Sequence, residues 1–210
     1  MMKNKKTLIL TTAVCLLPLI AGAIVYQRLP ATVATHFDLH GEPDGWSSRA
    51  FAVFGLPGIL LIVNLFVPSL LRADPKHENM SSALQTLTVW TIPVVSLICS
   101  GATLSCALGY PFPIERVLPV FLGILFLLIG NYLPKTKQSY TMGIKLPWTL
   151  HSEENWNRTH RLAGFLWVLC GLFFIVVSFI GWTLPLLLVP LVLMVLVPTV
   201  YSYCLYRRGI

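Results

Sequence analysis

Long apolar runs alternate with polar breaks along the whole chain. Six runs, at 7–26, 51–71, 86–108, 117–133, 162–180 and 183–204, contain no Asp, Glu, Lys, Arg or His. An α-helix rises about 1.5 Å per residue, so about 20 residues cover the roughly 30 Å hydrocarbon core of a bilayer. The pattern predicts an all-α integral membrane protein with six transmembrane helices. The run 117–133 is the shortest and needs its flanks to span. Only Gly181 and Trp182 separate the last two runs, which predicts a tight helical hairpin. One polar break carries a helical period of its own. Ser152 suits an N-cap, and Glu153 and Glu154 suit the positive end of a helix. Trp156, His160, Ala163 and Trp167 then share one stripe, and Glu154, Arg158 and Arg161 another. Glu154 and Arg158 stand at i,i+4. This amphipathic segment is expected to lie at the membrane interface before turning inward as the fifth span.

Composition agrees with the pattern. Hydrophobic residues make up 56% of the 210, charged residues 11%, and the mean hydropathy is +0.76. Ordinary soluble domains carry about 25% charged residues. A water-soluble enzyme, a disordered chain and a fibre are excluded. The net charge of +7 would suggest nucleic acid in a soluble protein. Here the basic residues cluster at the ends of the runs, where they set orientation and attract anionic lipid headgroups. Membrane lipids are therefore expected partners, and direct nucleic-acid contact is not. With a cytoplasmic N-terminus, the inner segments 1–6, 72–85, 134–161 and 205–210 hold twelve of the 15 Lys and Arg, against Arg28, Arg49 and Arg116 outside. Both termini are expected in the cytoplasm. Trp46, Trp148 and Trp182 fall near expected membrane boundaries.

Smaller features refine this picture. Lys3, Lys5 and Lys6 before an apolar run, with Ala21-Gly22-Ala23 behind it, have the outline of a signal peptide. The run continues through Ile24, Val25 and Tyr26, which favours a retained helix. Cys15, Cys99, Cys106, Cys170 and Cys204 form no CxxC pair and read as small packing residues. Pro18, Pro57, Pro68, Pro93, Pro119, Pro185, Pro190 and Pro198 lie within runs and are expected to shape or kink the helices. Asn64 and Asn131 are the polar residues placed to hydrogen-bond between helices. Spans without ionisable groups disfavour ion-coupled transport.

Chemistry is then expected in two loops. The outer one, 27–50, holds His36, Asp38, His40, Glu42 and Asp44 within nine residues, and Gly41, Pro43 and Asp44-Gly45 as turn signals. Asp44-Gly45 suits a tight turn with positive φ, and Arg49 is placed to pair with one of the carboxylates. His36 and His40 are metal-ligand types, yet no zinc spacing such as HExxH occurs, so the better reading is a recognition loop of His36, Asp38, His40, Gly41, Asp44 and Trp46. The inner loop, 134–161, contains His151, His160, Glu153 and Glu154 as acid–base types. It has no nucleophile–base–orienter spacing and no phosphate-cradling glycine loop, so catalysis is not expected and no cofactor is implied.

Three segments of the chain carry a resemblance. Gly130-Asn131-Tyr132-Leu133-Pro134, then Tyr140-Thr141-Met142-Gly143-Ile144-Lys145-Leu146-Pro147-Trp148-Thr149-Leu150, then Trp156-Asn157-Arg158-Thr159-His160-Arg161, together resemble the signature of the SdpI family of bacterial membrane immunity proteins. Leu29-Pro30 through His36-Phe37-Asp38 and Gly41-Glu42-Pro43-Asp44-Gly45-Trp46 to Pro57 resemble the DUF1648 module that often precedes it. The resemblance implies a 1–71 module with two helices and an outer loop, and a 72–210 region with four helices and the cytoplasmic signature loop. It implies a multi-pass protein of the bacterial plasma membrane that protects against a secreted, membrane-active peptide toxin. It also implies a receptor role in which a transcriptional repressor is held at the membrane. The residues it marks for a partner are Asn131, Pro134, Tyr140, Gly143, Lys145, Pro147, Trp148, Thr149, Trp156, Thr159 and His160. Relatives commonly carry Arg where this chain has Lys145, which keeps the charge but loses the planar fork. Two other readings remain: a membrane transporter for a small molecule or peptide, and a metal-dependent membrane enzyme using His36 and His40.

Overall fold

The structure is a computed structural model and describes residues 5–38, 40–181 and 183–210. Lys3 of the expected basic start and Trp182 of the expected boundary belt lie outside the described residues. The chain runs α1 (Lys5–Val25), β1 (Thr32–Phe37), β2 (Pro43–Ser48), α2 (Leu56–Arg72), α3 (Ser82–Ala107), α4 (Ile114–Tyr132), α5 (Pro147–His151), α6 (Glu153–Ile180) and α7 (Leu184–Arg207). Six helices among the described residues are long and apolar enough to cross a membrane. They are α1 to α4, α6 and α7, and each matches one of the six runs. The protein is a multi-pass membrane protein built on helices. Most of the expected prolines sit inside these helices, Pro57 included, because the helical chain already begins ahead of α2; Pro185 occupies the first turn of α7, where the missing N–H costs little. Ahead of α2, Phe51–Gly55 forms a widened π turn.

The loop 27–50, expected outside and called the outer loop, is not all coil. β1 and β2 pair antiparallel, with bulges around His36. The tight turn expected at Asp44-Gly45 lies elsewhere. The chain reverses at 38–42, where Gly41 has φ 83°, and Gly45 stands in β2 opposite His36. A Cβ at Gly45 would come within 2.8 Å of the His36 Cβ, so this glycine provides room across the strands rather than a turn.

The chain packs as two compact units, one of residues 5–69 with 88–118, the other of 70–87 with 119–210. In the first, Leu29, Val33, Ala52 and Val53 are buried together, with Val25, Tyr26 and Leu104 against them. Gly22 of α1 meets Val53 so closely that a Cβ would lie 2.7 Å from its Cγ1. Arg49 does not pair with a loop carboxylate. It donates to the carbonyls of Tyr26 (3.3 Å) and Leu29 (3.1 Å) and lies 4.5 Å above the Tyr26 ring. The turn at the negative end of α1 offers a cation these acceptors. Asn64 is buried and donates to Thr12 on α1 at 3.3 Å, whereas Asn131 is exposed.

In the second unit α4 and α6 touch through glycines. A Cβ on Gly123 would lie 2.7 Å from the Gly171 carbonyl, and one on Gly171 would lie 2.6 Å from the Gly123 carbonyl. Gly130 and Gly164 repeat the arrangement at 2.8 and 2.7 Å. Lipid supplies no hydrophobic drive between helices, so close backbone approach and dispersion must hold them. Phe126 fills the adjoining space edge-on to Trp167 and Phe174. Cys15 and Cys170 are buried, as packing residues should be, but Cys99 and Cys204 are exposed on their helices.

Candidate functional site

The loop 134–161, expected inside and called the inner loop, is built on a buried carboxylate that the sequence did not single out. Asp74 follows α2, and Asp74-Pro75 starts a turn in which Asp74 Oδ1 accepts the Lys76 N–H at 2.7 Å. Its Oδ2 accepts the Ser139 hydroxyl at 2.7 Å and the Thr141 N–H at 2.8 Å. Burial alone pushes this carboxyl up. The hydrogen bonds from Ser139, Lys76 and Thr141 outweigh burial and hold it below its ordinary value. Beside it, Asn79 donates to the Gln138 carbonyl (2.9 Å), and the Gln138 amide donates to the Thr149 carbonyl (2.9 Å). Two stretches of chain about 60 residues apart are thereby tied together.

The signature residues complete this lattice. Ser152 caps α6 by accepting the Asn155 N–H at 3.1 Å, as the sequence predicts. The helix then runs unbroken to Ile180, and its Trp156 and His160 are fully buried. This corrects the expectation of a segment lying flat at the interface: the stripe faces protein because its polar atoms have partners there. Trp156 Nε1 donates to the Thr136 carbonyl (2.8 Å), and its ring stacks on His160 at 3.9 Å. His160 Nε2 accepts the Ile144 N–H at 2.9 Å, so the proton belongs on Nδ1, which donates to the Trp156 carbonyl at 2.8 Å. Gly143 passes over this pair with φ 104°, and a Cβ there would lie 2.5 Å from His160 Nε2 and 2.7 Å from the Trp156 ring. Only glycine meets both demands.

Thr149 is buried in α5. Its hydroxyl accepts the Leu146 N–H (2.9 Å) and donates to the Ile144 carbonyl (2.8 Å), closing the Pro147-Trp148 turn. Trp148 reaches α7, where its indole N–H donates to Ser202 Oγ at 2.9 Å and its ring stacks on Tyr206. These contacts dock the half-buried indole on α7. Asn155 donates to the Ser202 and Ile210 carbonyls at 3.0 Å each, and Thr159 donates back to Asn155 at 3.2 Å. The marked residues therefore divide. Gly143, Thr149, Trp156, Thr159 and His160 are brought together inside, with Trp148 at the edge. Pro134 presents its ring to Gly164. Asn131, Tyr140, Lys145 and Pro147 are exposed, with Lys145 Nζ held by the Thr141 carbonyl at 3.0 Å. Sequence reading missed Asp74, Gln138, Asn155 and Ser202; the Asp-Pro turn was the one local signal for the first of these.

The outer hairpin is a separate candidate. His36 Nδ1 bonds the Asp44 carboxylate, and both side chains are largely exposed. Asp38 Oδ1 accepts the N–H groups of Glu42 (2.9 Å) and His40 (2.8 Å). These bonds, that from Glu42 first, hold its carboxyl below the ordinary value. Gly41 packs on Glu115, and Trp46 is 61% exposed. His36 and His40 have no third ligand: among the described residues no group of three His, Cys, Asp or Glu is placed to hold a metal ion.

Comparison with known proteins bears on both candidates. Residues 135–202 match the SdpI/YfhL protein family, and residues 13–61 match a domain of unknown function, DUF1648. The chain is 30% identical over 206 residues to Immunity protein SdpI of Bacillus subtilis (strain 168), covering 97% of each chain. No solved structure matches.

Proposed function

We propose a function for a chain that belongs to the SdpI/YfhL protein family: it is a bacterial membrane immunity protein that protects the cell against a secreted, membrane-active peptide toxin. The observation that carries this reading is the match over 97% of both chains to a protein named for immunity, which runs through the outer hairpin and the inner loop alike. The protein acts by binding, without turnover. The DUF1648-like module, 1–71, presents the hairpin outside the cell, and the region 72–210 presents the loop 134–161 in the cytoplasm, where both termini also lie. The excess of Lys and Arg in the segments on that side supports this orientation.

The buried lattice sorts the signature residues by task. Trp156, His160, Thr149 and Gly143 hold the loop's shape, so they are poor candidates for touching a partner. Contact falls to the residues left outside: Tyr140, Lys145, Pro147 and the exposed edge of Trp148, with Lys135 and Lys137 near anionic lipid. A transcriptional repressor held at the membrane would dock on that edge.

Membrane potential tests the reading. Expressed in a sensitive bacterium exposed to the peptide toxin that the resemblance implies, the wild-type chain keeps the potential that empty cells lose, as followed with a potential-sensitive dye. Trp148→Ala at equal abundance loses protection, and Trp148→Phe, which deletes only the indole N–H and part of the ring, retains more of it. Collapse in wild-type cells at the dose that collapses empty cells would end the immunity reading for that toxin.

A further inference from the structure

The stripe of α6 has a fourth member that the signature loop leaves unexplained. Trp167 lies on the face of Trp156, His160 and Ala163, about two turns beyond His160. Its indole N–H donates to the Met194 carbonyl of α7 at 3.2 Å. A carbonyl inside a helix normally needs no such donor, because the N–H four residues on takes it. For Met194 that residue is Pro198, which has no N–H. Pro198 lies inside α7, which stays helical to Arg207. In a hydrocarbon core no water replaces the missing donor, so the freed carbonyl needs a neighbouring side chain. Trp167 is that side chain.

The indole is itself held from α4. Its ring stands edge-on to Phe126, with centroids 5.7 Å apart. Gly130 gives it room: a Cβ there would lie 3.0 Å from the Trp167 Cβ. The bond to Met194 thus ties α7 to α4 and α6 at the break in its ladder. Pro198 also divides α7 by task. Before it, α7 bonds to α6 through Met194 and through Pro190, whose carbonyl accepts the Cys170 thiol at 3.9 Å. After it come the partners of the signature loop. Ser202 accepts the Trp148 N–H and gives its carbonyl to Asn155, and Tyr203 and Tyr206 meet the Trp148 ring at 5.4 and 5.8 Å. A helix changes direction most readily where a proline interrupts its ladder. The course of the last turns therefore depends on what occupies the Met194 carbonyl.

We infer that Trp167 is a positioning residue for the exposed edge of Trp148. By occupying the Met194 carbonyl it fixes the course of α7 past Pro198, and so sets where Ser202, Tyr203 and Tyr206 meet the Trp148 indole. The importance of that edge rests on the immunity reading, which assigns partner contact to it; the positioning does not.

The test uses the full chain in phosphatidylcholine nanodiscs, with its tryptophans isotopically labelled at the indole nitrogen for magnetic resonance. The Trp148 and Trp167 signals are assigned by their loss in Trp148→Phe and Trp167→Phe. Trp167→Phe keeps an aromatic ring and deletes the N–H. It should shift the Trp148 signal and speed exchange of the Trp148 indole proton with water roughly tenfold. Pro198→Ala gives the Met194 carbonyl a backbone donor, so the Trp167 signal should move upfield as its bond is lost. In that background Trp167→Phe should change Trp148 exchange by about twofold or less. Equal effects of Trp167→Phe in both backgrounds would reduce Trp167 to packing and overturn the inference. So would a Trp148 signal that Trp167→Phe leaves in place. If Trp167→Phe does not fold, Pro198→Ala decides alone: a Trp167 signal that it leaves unmoved would overturn the role of the bond. Protection of cells is read on the same variants. A displaced Trp148 with protection at the wild-type level would leave the positioning and remove the Trp148 edge from the immunity reading. Protection lost with Trp148 undisturbed would overturn the positioning and leave the immunity reading.

Discussion

The outer hairpin and the inner loop spend similar side chains in opposite ways. In the hairpin, polar groups bond to near neighbours: Asp38 to N–H groups two and four residues on, His36 to Asp44 eight residues on. In the inner loop the bonds join distant sequence: Asp74 to Ser139 and Thr141 across 65 and 67 residues, Trp148 to Ser202 across 54, Asn155 to Ser202 across 47. The hairpin's His36 side chain is 74% exposed, whereas Trp156, His160, Thr149 and Asn155 are fully buried. Burial decides what a polar group does. An exposed one trades protein for water at little cost and is free to meet a ligand; a buried one must be paired and so becomes structure. Substitutions in the inner loop should therefore be read first as folding defects, and those in the hairpin as changes of surface.

The largest effect should come from Trp156→Ala, which removes a buried ring, its bond to Thr136 and its stack on His160. Loss of a large core aromatic costs about 3–5 kcal/mol. Low abundance and a much lower unfolding midpoint in detergent are expected; an unchanged midpoint would dissolve the contrast between the two loops. Gly143→Ala comes next, because it forces a side chain into positive φ against His160, at a cost of about 1–3 kcal/mol for the backbone alone.

Asp74→Asn sharpens the comparison through pH. It weakens charge-assisted hydrogen bonds worth about 1.5–3 kcal/mol each. The folded carboxyl lies below its ordinary value of 3.8. Its contribution is therefore fully present above that value and is lost as pH falls through the lowered one. The midpoints of wild type and Asp74→Asn should differ near neutrality and converge as the pH drops below 3.8. A gap that persists in acid would mean that Asp74 acts through shape and not charge. The smallest effect belongs to His36→Ala in the hairpin. An exposed ion pair contributes about 0–1 kcal/mol, so the midpoint should hardly move. A large drop would show that the hairpin, too, is structure.

These contrasts follow what was legible in the chain. The six spans were readable because lipid imposes a length and an absence of charge that composition records directly. The Ser152 cap and the stripe of Trp156 and His160 were readable because both are local, within one or two turns. The stripe's destination was not: amphipathic periodicity names a face but not what covers it, and a Trp suits lipid headgroups and protein alike. Asp44-Gly45 misled for a related reason. The pair is permissive for a turn, but hydrogen bonding by Asp38 and the packing of Gly41 on Glu115 placed the reversal at 38–42. Gly123, Gly130, Gly164 and Gly171 gave no local signal, since their meaning lies in the carbonyl of the facing helix.

By itself the sequence determined that this is a six-span membrane protein of the SdpI/YfhL family, with its charges and candidate chemistry confined to the loops. Only the tertiary structure decided that Asp74 anchors the signature loop, that Trp156 and His160 are core, and that Trp167 serves the Met194 carbonyl. The physical reason is range: hydropathy and capping act within a few residues, whereas the partners of a buried carboxylate, or of a carbonyl that a proline frees, are ones that the folded chain alone brings together.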